Sequence, residues 1–190
     1  AEIDEILRDI VRDDKRAGAV ISGLRAMMRR RPGERQPVDL SQLVEETVAM
    51  LNMNIQTQNV NVQENLETDC TVIADRAQLQ QVLVNLIVNA VEAMQSAGVH
   101  GRRLFLEVRN GAMVQCAVHD TGKDLRPHRL SQIFEPFWTT KVEGLGMGLA
   151  VCRSIINAHD GAIWAEIAQD GGAVFRFELP KAAFHALAPA

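Results

Sequence analysis

No apolar stretch in this sequence approaches the roughly 20 residues that a membrane-spanning helix needs, so no direct membrane contact is expected of the segment. The first residues carry both acidic and basic charges, so no secretory leader is expected there. Cysteine is scarce. Cys70, Cys116 and Cys152 are odd in number and far apart, which argues against a disulfide framework or a metal-binding pair. They read as small buried hydrophobes in a reducing, cytoplasmic setting. The five histidines, His100, His119, His128, His159 and His185, form no HExxH-like pattern, so no protein-held transition metal is expected. Positive charge is in deficit too. The formal charge is -4, and the only basic run, Arg29, Arg30 and Arg31 with Arg35, reads as a solvated helix end. A nucleic-acid partner is therefore not expected. No internal repeat is visible.

What remains is an ordinary globular composition, 47% hydrophobic and 23% charged, over 190 residues. Residues 1–33 read as one long helix ended by Pro32 and Gly33. Ile3, Ile6, Ile10, Asp13, Ala17, Val20, Leu24 and Met27 follow a 3-4 spacing, a heptad seam that must pack on another helix. Residues 34–183 read as a separate domain and 184–190 as a frayed, Ala-rich tail. Within the domain, 34–39 looks like a linker. Asp39 or Ser41 caps a helix to about Asn54, and Asp75 caps a second to about Ala97. Strands are expected at Val60–Leu66 and Thr71–Ala74. Two hairpins follow, around Asn110-Gly111 and around Asp170-Gly171-Gly172. A loop-rich stretch from Asp120 leads into a helix from Met147 to Ala158. The fold class is α+β: a two-layer α/β sandwich with a mixed sheet of about five strands and three helices, behind one long coiled-coil-like helix.

Four stretches could carry chemistry. Asn85 and Asn89 share one face of an otherwise apolar helix. Buried amides need polar partners, either neighbouring elements or a hydrated magnesium ion. Asp120-Thr121-Gly122 follows a strand, where a carboxylate can accept from an exocyclic amine or simply make a turn. Gly144-Leu145-Gly146-Met147-Gly148-Leu149 opens into a helix, a place for backbone amides to meet an anion. Its spacing is neither GxGxxG nor GxxxxGK[ST]. Ile133 to Lys141 sets two phenylalanines and a tryptophan in a polar loop, with Lys141 able to reach a phosphate.

In this order the four stretches resemble the boxes of the GHKL (Bergerat-fold) ATPase superfamily, and specifically the sensor histidine kinases. Asn85-Leu-Ile-Val-Asn89-Ala90 resembles the N box and Asp120-Thr121-Gly122 the start of the G1 box. Phe134-Glu-Pro-Phe137 resembles the F box, and Gly144, Gly146 and Gly148 the G2 box. The short lid and the Phe-Trp-Thr-Thr-Lys string look most like the oxygen-sensing and nitrogen-regulatory branch. The resemblance covers about residues 36–180. It implies ATP and Mg2+ as cofactors, with Asn89 on the metal and Asn85 assisting at the phosphates. Asp120 would hold the adenine amine, supported by Thr121 and Gly122. Gly144, Gly146, Gly148, Leu149 and Lys141 would line the phosphate side of a lid. Hydrolysing relatives carry a glutamate base where Asn85 stands, and an amide cannot take a proton from water. The site should therefore present the γ-phosphate to a nucleophile other than water.

Two departures qualify that expectation. Asp124 stands where the family's G1 box has its second glycine, which should weaken ATP binding. The long helix resembles the second helix of a dimerisation and phosphotransfer domain, yet no histidine precedes His100. The resemblance thus implies a protein-histidine kinase domain that acts on a histidine absent from this chain. It further implies a homodimer through the N-terminal helix and a response regulator as partner. The expected setting is cytoplasmic, within a larger sensor. The alternatives are a degenerate, non-catalytic dimerisation and partner-binding module, and an anti-sigma serine kinase.

Overall fold

A computed structural model of the chain describes residues 34–96, 98, 101–122, 125–140 and 145–182. The long N-terminal helix expected over 1–33, the tail, Lys123, Asp124, Lys141 and Gly144 lie outside the described residues. The elements are β1 (Gln36–Asp39), α1 (Leu40–Thr57), β2 (Asn61–Leu66), β3 (Thr71–Ala74), α2 (Arg76–Ser96), β4 (Arg103–Arg109) and β5 (Met113–Asp120). A 3-10 turn (Pro127–Arg129), α3 (Gly148–Ala158), β6 (Ala162–Ile167) and β7 (Ala173–Pro180) follow.

The helices start and stop for local chemical reasons. Asp39 Oδ1 accepts from the amides of Ser41 (2.9 Å) and Gln42 (3.2 Å) and so caps α1. Asp75 Oδ1 does the same for α2, from Ala77 (3.0 Å) and Gln78 (3.1 Å). Helix α1 ends with Asn59 at φ 52° while Val60 N–H reaches the Ile55 carbonyl and Asn59 N–H that of Gln56. That is a Schellman ending with asparagine in the left-handed position. Helix α3 ends identically, with Asp160 at φ 61° and Gly161 N–H on the Ile156 carbonyl.

Five strands form one sheet in the order β2-β4-β5-β7-β6, with β2 parallel to β4 and the other pairs antiparallel. A parallel pair needs a crossover, and α2 lies within it. Inward residues alternate along the strands: Leu104, Leu106 and Val108 on β4, Cys116 and Val118 on β5, and Phe175, Phe177 and Leu179 on β7. They meet α2, whose Leu79, Val82, Leu83, Leu86, Ile87, Ala90 and Met94 are buried. The outward positions carry polar and aromatic groups, among them a Phe105–His119 stack at 5.1 Å.

One expectation changes. Residues 36–39 are not a linker: β1 pairs antiparallel with β3 in a separate two-stranded sheet. Four residues with a proline give no periodic signal, and only the partner strand reveals them. The hairpin expected around Asn110-Gly111 forms between β4 and β5. Asn110 also serves as a tie. Its backbone amide donates to Glu67, its side chain donates to the Thr68 carbonyl and accepts from Lys181 Nζ at 2.7 Å.

Candidate functional site

Strand β5 delivers Asp120 to its own end, between Leu104 of β4 and Ala173 of β7. The residue is 1% exposed. A buried carboxylate needs hydrogen bonds, and Oδ1 takes one at 2.7 Å from the Gly122 amide. Gly122 is obligatory for space. A Cβ there would sit 2.7 Å from Asp120 Oδ1 and 3.3 Å from the backbone and Cβ of Ala93 on α2. Thr121 Oγ1 accepts from the Arg103 amide at 3.2 Å and donates to Met94 Sδ at 3.4 Å, tying the loop to β4 and to α2.

Farther back along α2, Asn85 and Asn89 are both half-buried. Asn85 Nδ2 donates to the Gly148 carbonyl at 3.3 Å, and its amide also meets the Cys152 thiol. Asn85 thus holds the first turn of α3. Gly148 opens that helix, and its Met147 N-cap supplies no side-chain cap. No acidic residue occupies the first turn. The terminal amides therefore face outward with the positive end of the helix dipole behind them. Gly146 has φ 64°, and a Cβ on it would overlap the backbone of Phe137 and Trp138. The glycine segment is folded down on the aromatic loop. In that loop Phe134 is buried edge-on against Phe175 at 6.4 Å, and Trp138 packs against the core. Phe137 is 67% exposed and holds a left-handed φ of 67°. Leu149 also packs against the core.

Residues 74–183 match the profile of a family described as histidine kinase-, DNA gyrase B-, and HSP90-like ATPase. The chain belongs to that family. Among relatives of this ATPase family, it is 38% identical over 184 residues to the sensor histidine kinase TmoS of Ectopseudomonas mendocina, covering 94% of this chain and 19% of TmoS. It is 42% identical over 172 residues to the sensor protein FixL of Bradyrhizobium diazoefficiens, covering 88% of this chain and 33% of FixL. It thus spans between about a fifth and a third of these relatives' lengths. Among solved structures, the catalytic domain of the histidine kinase ThkA superposes with a TM-score of 0.70 at 33% identity, over 78% of this chain and 97% of that one. ThkA in complex with the response regulator TrrA gives a TM-score of 0.75 at 28% identity, over 91% of this chain and 49% of that one. The five-stranded mixed sheet and three helices are the α/β sandwich of the family's histidine kinase domains.

Several groups around the candidate site gave little sequence signal by themselves. Gly172 has no room for a side chain, because its Cβ would overlap the Asp120 carbonyl oxygen and lie 3.2 Å from Thr121 Cα. The β6–β7 turn therefore buttresses the acidic residue from below, and only its Gly171-Gly172 doublet hinted at that. Ala93 and Met94 form the roof. Among the described residues no three His, Cys, Asp or Glu side chains converge as for a metal ion, and no helix is long and apolar enough to cross a membrane.

Proposed function

We propose that this chain binds Mg-ATP along α2 and transfers the γ-phosphate to a histidine on a dimerisation domain, for relay to a response-regulator aspartate. One observation carries the reading. Helix α2 touches Gly122 beside the buried Asp120 through Ala93, and touches Gly148 at the start of α3 through Asn85. The two contacts are eight residues apart, about 12 Å at 1.5 Å per residue. That spacing suits an extended nucleotide, with an exocyclic amine at the carboxylate and phosphates at an uncapped helix N-terminus.

Asp120 would accept from the adenine amine, with Thr121 and Gly122 keeping its loop in place. Gly146, Gly148 and Leu149 would present backbone amides to the phosphates, with Gly144 and Lys141 completing that side. Asn89 would supply an amide oxygen to magnesium, which takes few protein ligands and fills its shell with phosphate oxygens and water. The ion would neutralise phosphate charge there. An amide at Asn85 leaves no base to activate water, which favours transfer over hydrolysis. The similarity to kinases favours this enzymatic role over a binding-only module. The ThkA–TrrA complex supports a response regulator as partner, and the heptad seam of residues 1–33 supports a homodimer.

Calorimetric titration with a non-hydrolysable ATP analogue, with and without magnesium, tests the reading. Binding should require magnesium and fall at least about tenfold in Asp120→Asn, which trades an acceptor for a donor facing the amine. Equal affinity in that folded variant would overturn the assignment.

A further inference from the structure

Helices α2 and α3 run antiparallel through an otherwise apolar contact, and polar bonds cross it at three levels. The Asp75 backbone N–H donates to His159 Nε2 at 3.0 Å. The Cys152 thiol points at the Val82 carbonyl, 3.8 Å away. Asn85 Nδ2 donates to the Gly148 carbonyl at 3.3 Å. From Asp75 to Val82 to Asn85 the steps along α2 are seven and three residues, and from His159 to Cys152 to Gly148 the return steps along α3 are seven and four. This is the repeat of a helix–helix seam, with its polar positions in register.

An apolar seam alone would tolerate slippage by a turn. Polar seam positions do not, because a slipped helix leaves buried donors and acceptors unmade. His159 is the end stop. It is 3% exposed and forms the C-cap of α3. Its Nδ1 lies 2.8 Å from the Ile155 carbonyl, which can only accept, while Nε2 faces an N–H, which can only donate. The ring must therefore be the neutral Nδ1–H tautomer. Resting on the nucleotide reading above, we propose that His159 is a positioning residue: it sets the register of α3 against α2 and holds Gly148 opposite Asn85.

Charged groups on the neighbouring elements are otherwise engaged. The Asp75 carboxylate caps α2. Arg76 pairs with Glu46 of α1, and Arg35 pairs with Asp160. Glu178 of β7 accepts from Gln115. None of these bonds replaces the acceptor that Asp75 N–H would lose.

The test compares the chain with His159→Leu and with His159→Gln, whose side-chain oxygen can accept from Asp75 N–H. Amide exchange at Gly148–Val151 reads the register without nucleotide, and analogue affinity reads the site. His159→Leu should speed that exchange about tenfold, as expected for one lost buried hydrogen bond. His159→Leu should lose affinity along with protection, and His159→Gln should keep both. Unchanged exchange in folded His159→Leu overturns the proposal. So does loss of protection in folded His159→Gln, the deciding result if the leucine variant does not fold. Expected exchange behaviour with no analogue binding in any chain upholds the register and overturns the nucleotide reading instead.

Discussion

The two ends of the candidate site along α2 are built differently. Around Asp120 the chain is closed by contact: Gly122 and Gly172 leave no space for a methyl group, and the strand end is pinned by β4 and β7. Around Gly148 it is held by bonds across a helix pair, and a Cβ there would find its nearest neighbour, Asn85, at an ordinary 3.9 Å. One end is fixed by volume and the other by hydrogen bonding. Rigid walls suit the recognition of a planar, invariant group. A hydrogen-bonded helix start can shift while staying attached.

The largest effect should come from Gly172→Ala, which drives a methyl into the Asp120 carbonyl. Overpacking of this kind costs about 1–3 kcal/mol and sometimes more, so both thermal stability and analogue binding should drop. Retention of both would refute a closed end. The thiols give the next contrast. Burial pushes Cys116 on β5 far up, and pushes Cys152 on α3 to about 12, with the Asn85 amide working the other way. Both stay neutral in the fold, so their stabilising contribution is intact below about pH 8.5 and is lost as pH rises toward 12, by about 1.4 kcal/mol per unit per thiol. Urea unfolding at stepped alkaline pH should show that decline. In the native chain Cys152 should be alkylated faster than Cys116, because α3 opens locally at lower cost than the sheet. Equal rates would erase the comparison.

Asn85→Ala removes the hydrogen bond to the Gly148 carbonyl and the contact with the Cys152 thiol and should cost at least about 0.5–1.5 kcal/mol, with denaturant midpoints as the readout. The loss should be larger in analogue affinity than in stability. Gly148→Ala should be the mildest. The site has room, and alanine favours helix by up to about 1 kcal/mol, so the melting temperature should hold or rise. A fall comparable to that of Gly172→Ala would mean the start of α3 is as tightly walled as the strand end.

Much of this was legible in residue order. The caps Asp39 and Asp75, the alternating strands and the three helices follow from local chemistry that does not depend on distant partners. The four box-like stretches were legible because each breaks its local pattern: amides in an apolar helix, an acid ending a strand, glycines before a helix, aromatics in a loop. What was not legible required two segments at once. Strand β1 exists only against β3. The role of Gly172 exists only against the backbone of Asp120. Asn85 could be read as an amide needing a partner, but not as one whose partner is the Gly148 carbonyl 63 residues away. In the aromatic loop, Phe134 and Trp138 pack inward while Phe137 is exposed, a division that the spacing alone did not show.

One tie has a mechanical consequence. Arg35, just ahead of β1, donates to the Ala158 carbonyl and pairs with Asp160 at 3.1 Å. Strand β1 itself is zipped to β3, which a bridge from Val72 to Lys181 joins to the end of β7. A twist or pull entering at Glu34 is therefore not absorbed by a slack tether. It reaches the last turn of α3 through Arg35 and strand β3 through β1, and α3 spans the 11 residues from there back to Gly148.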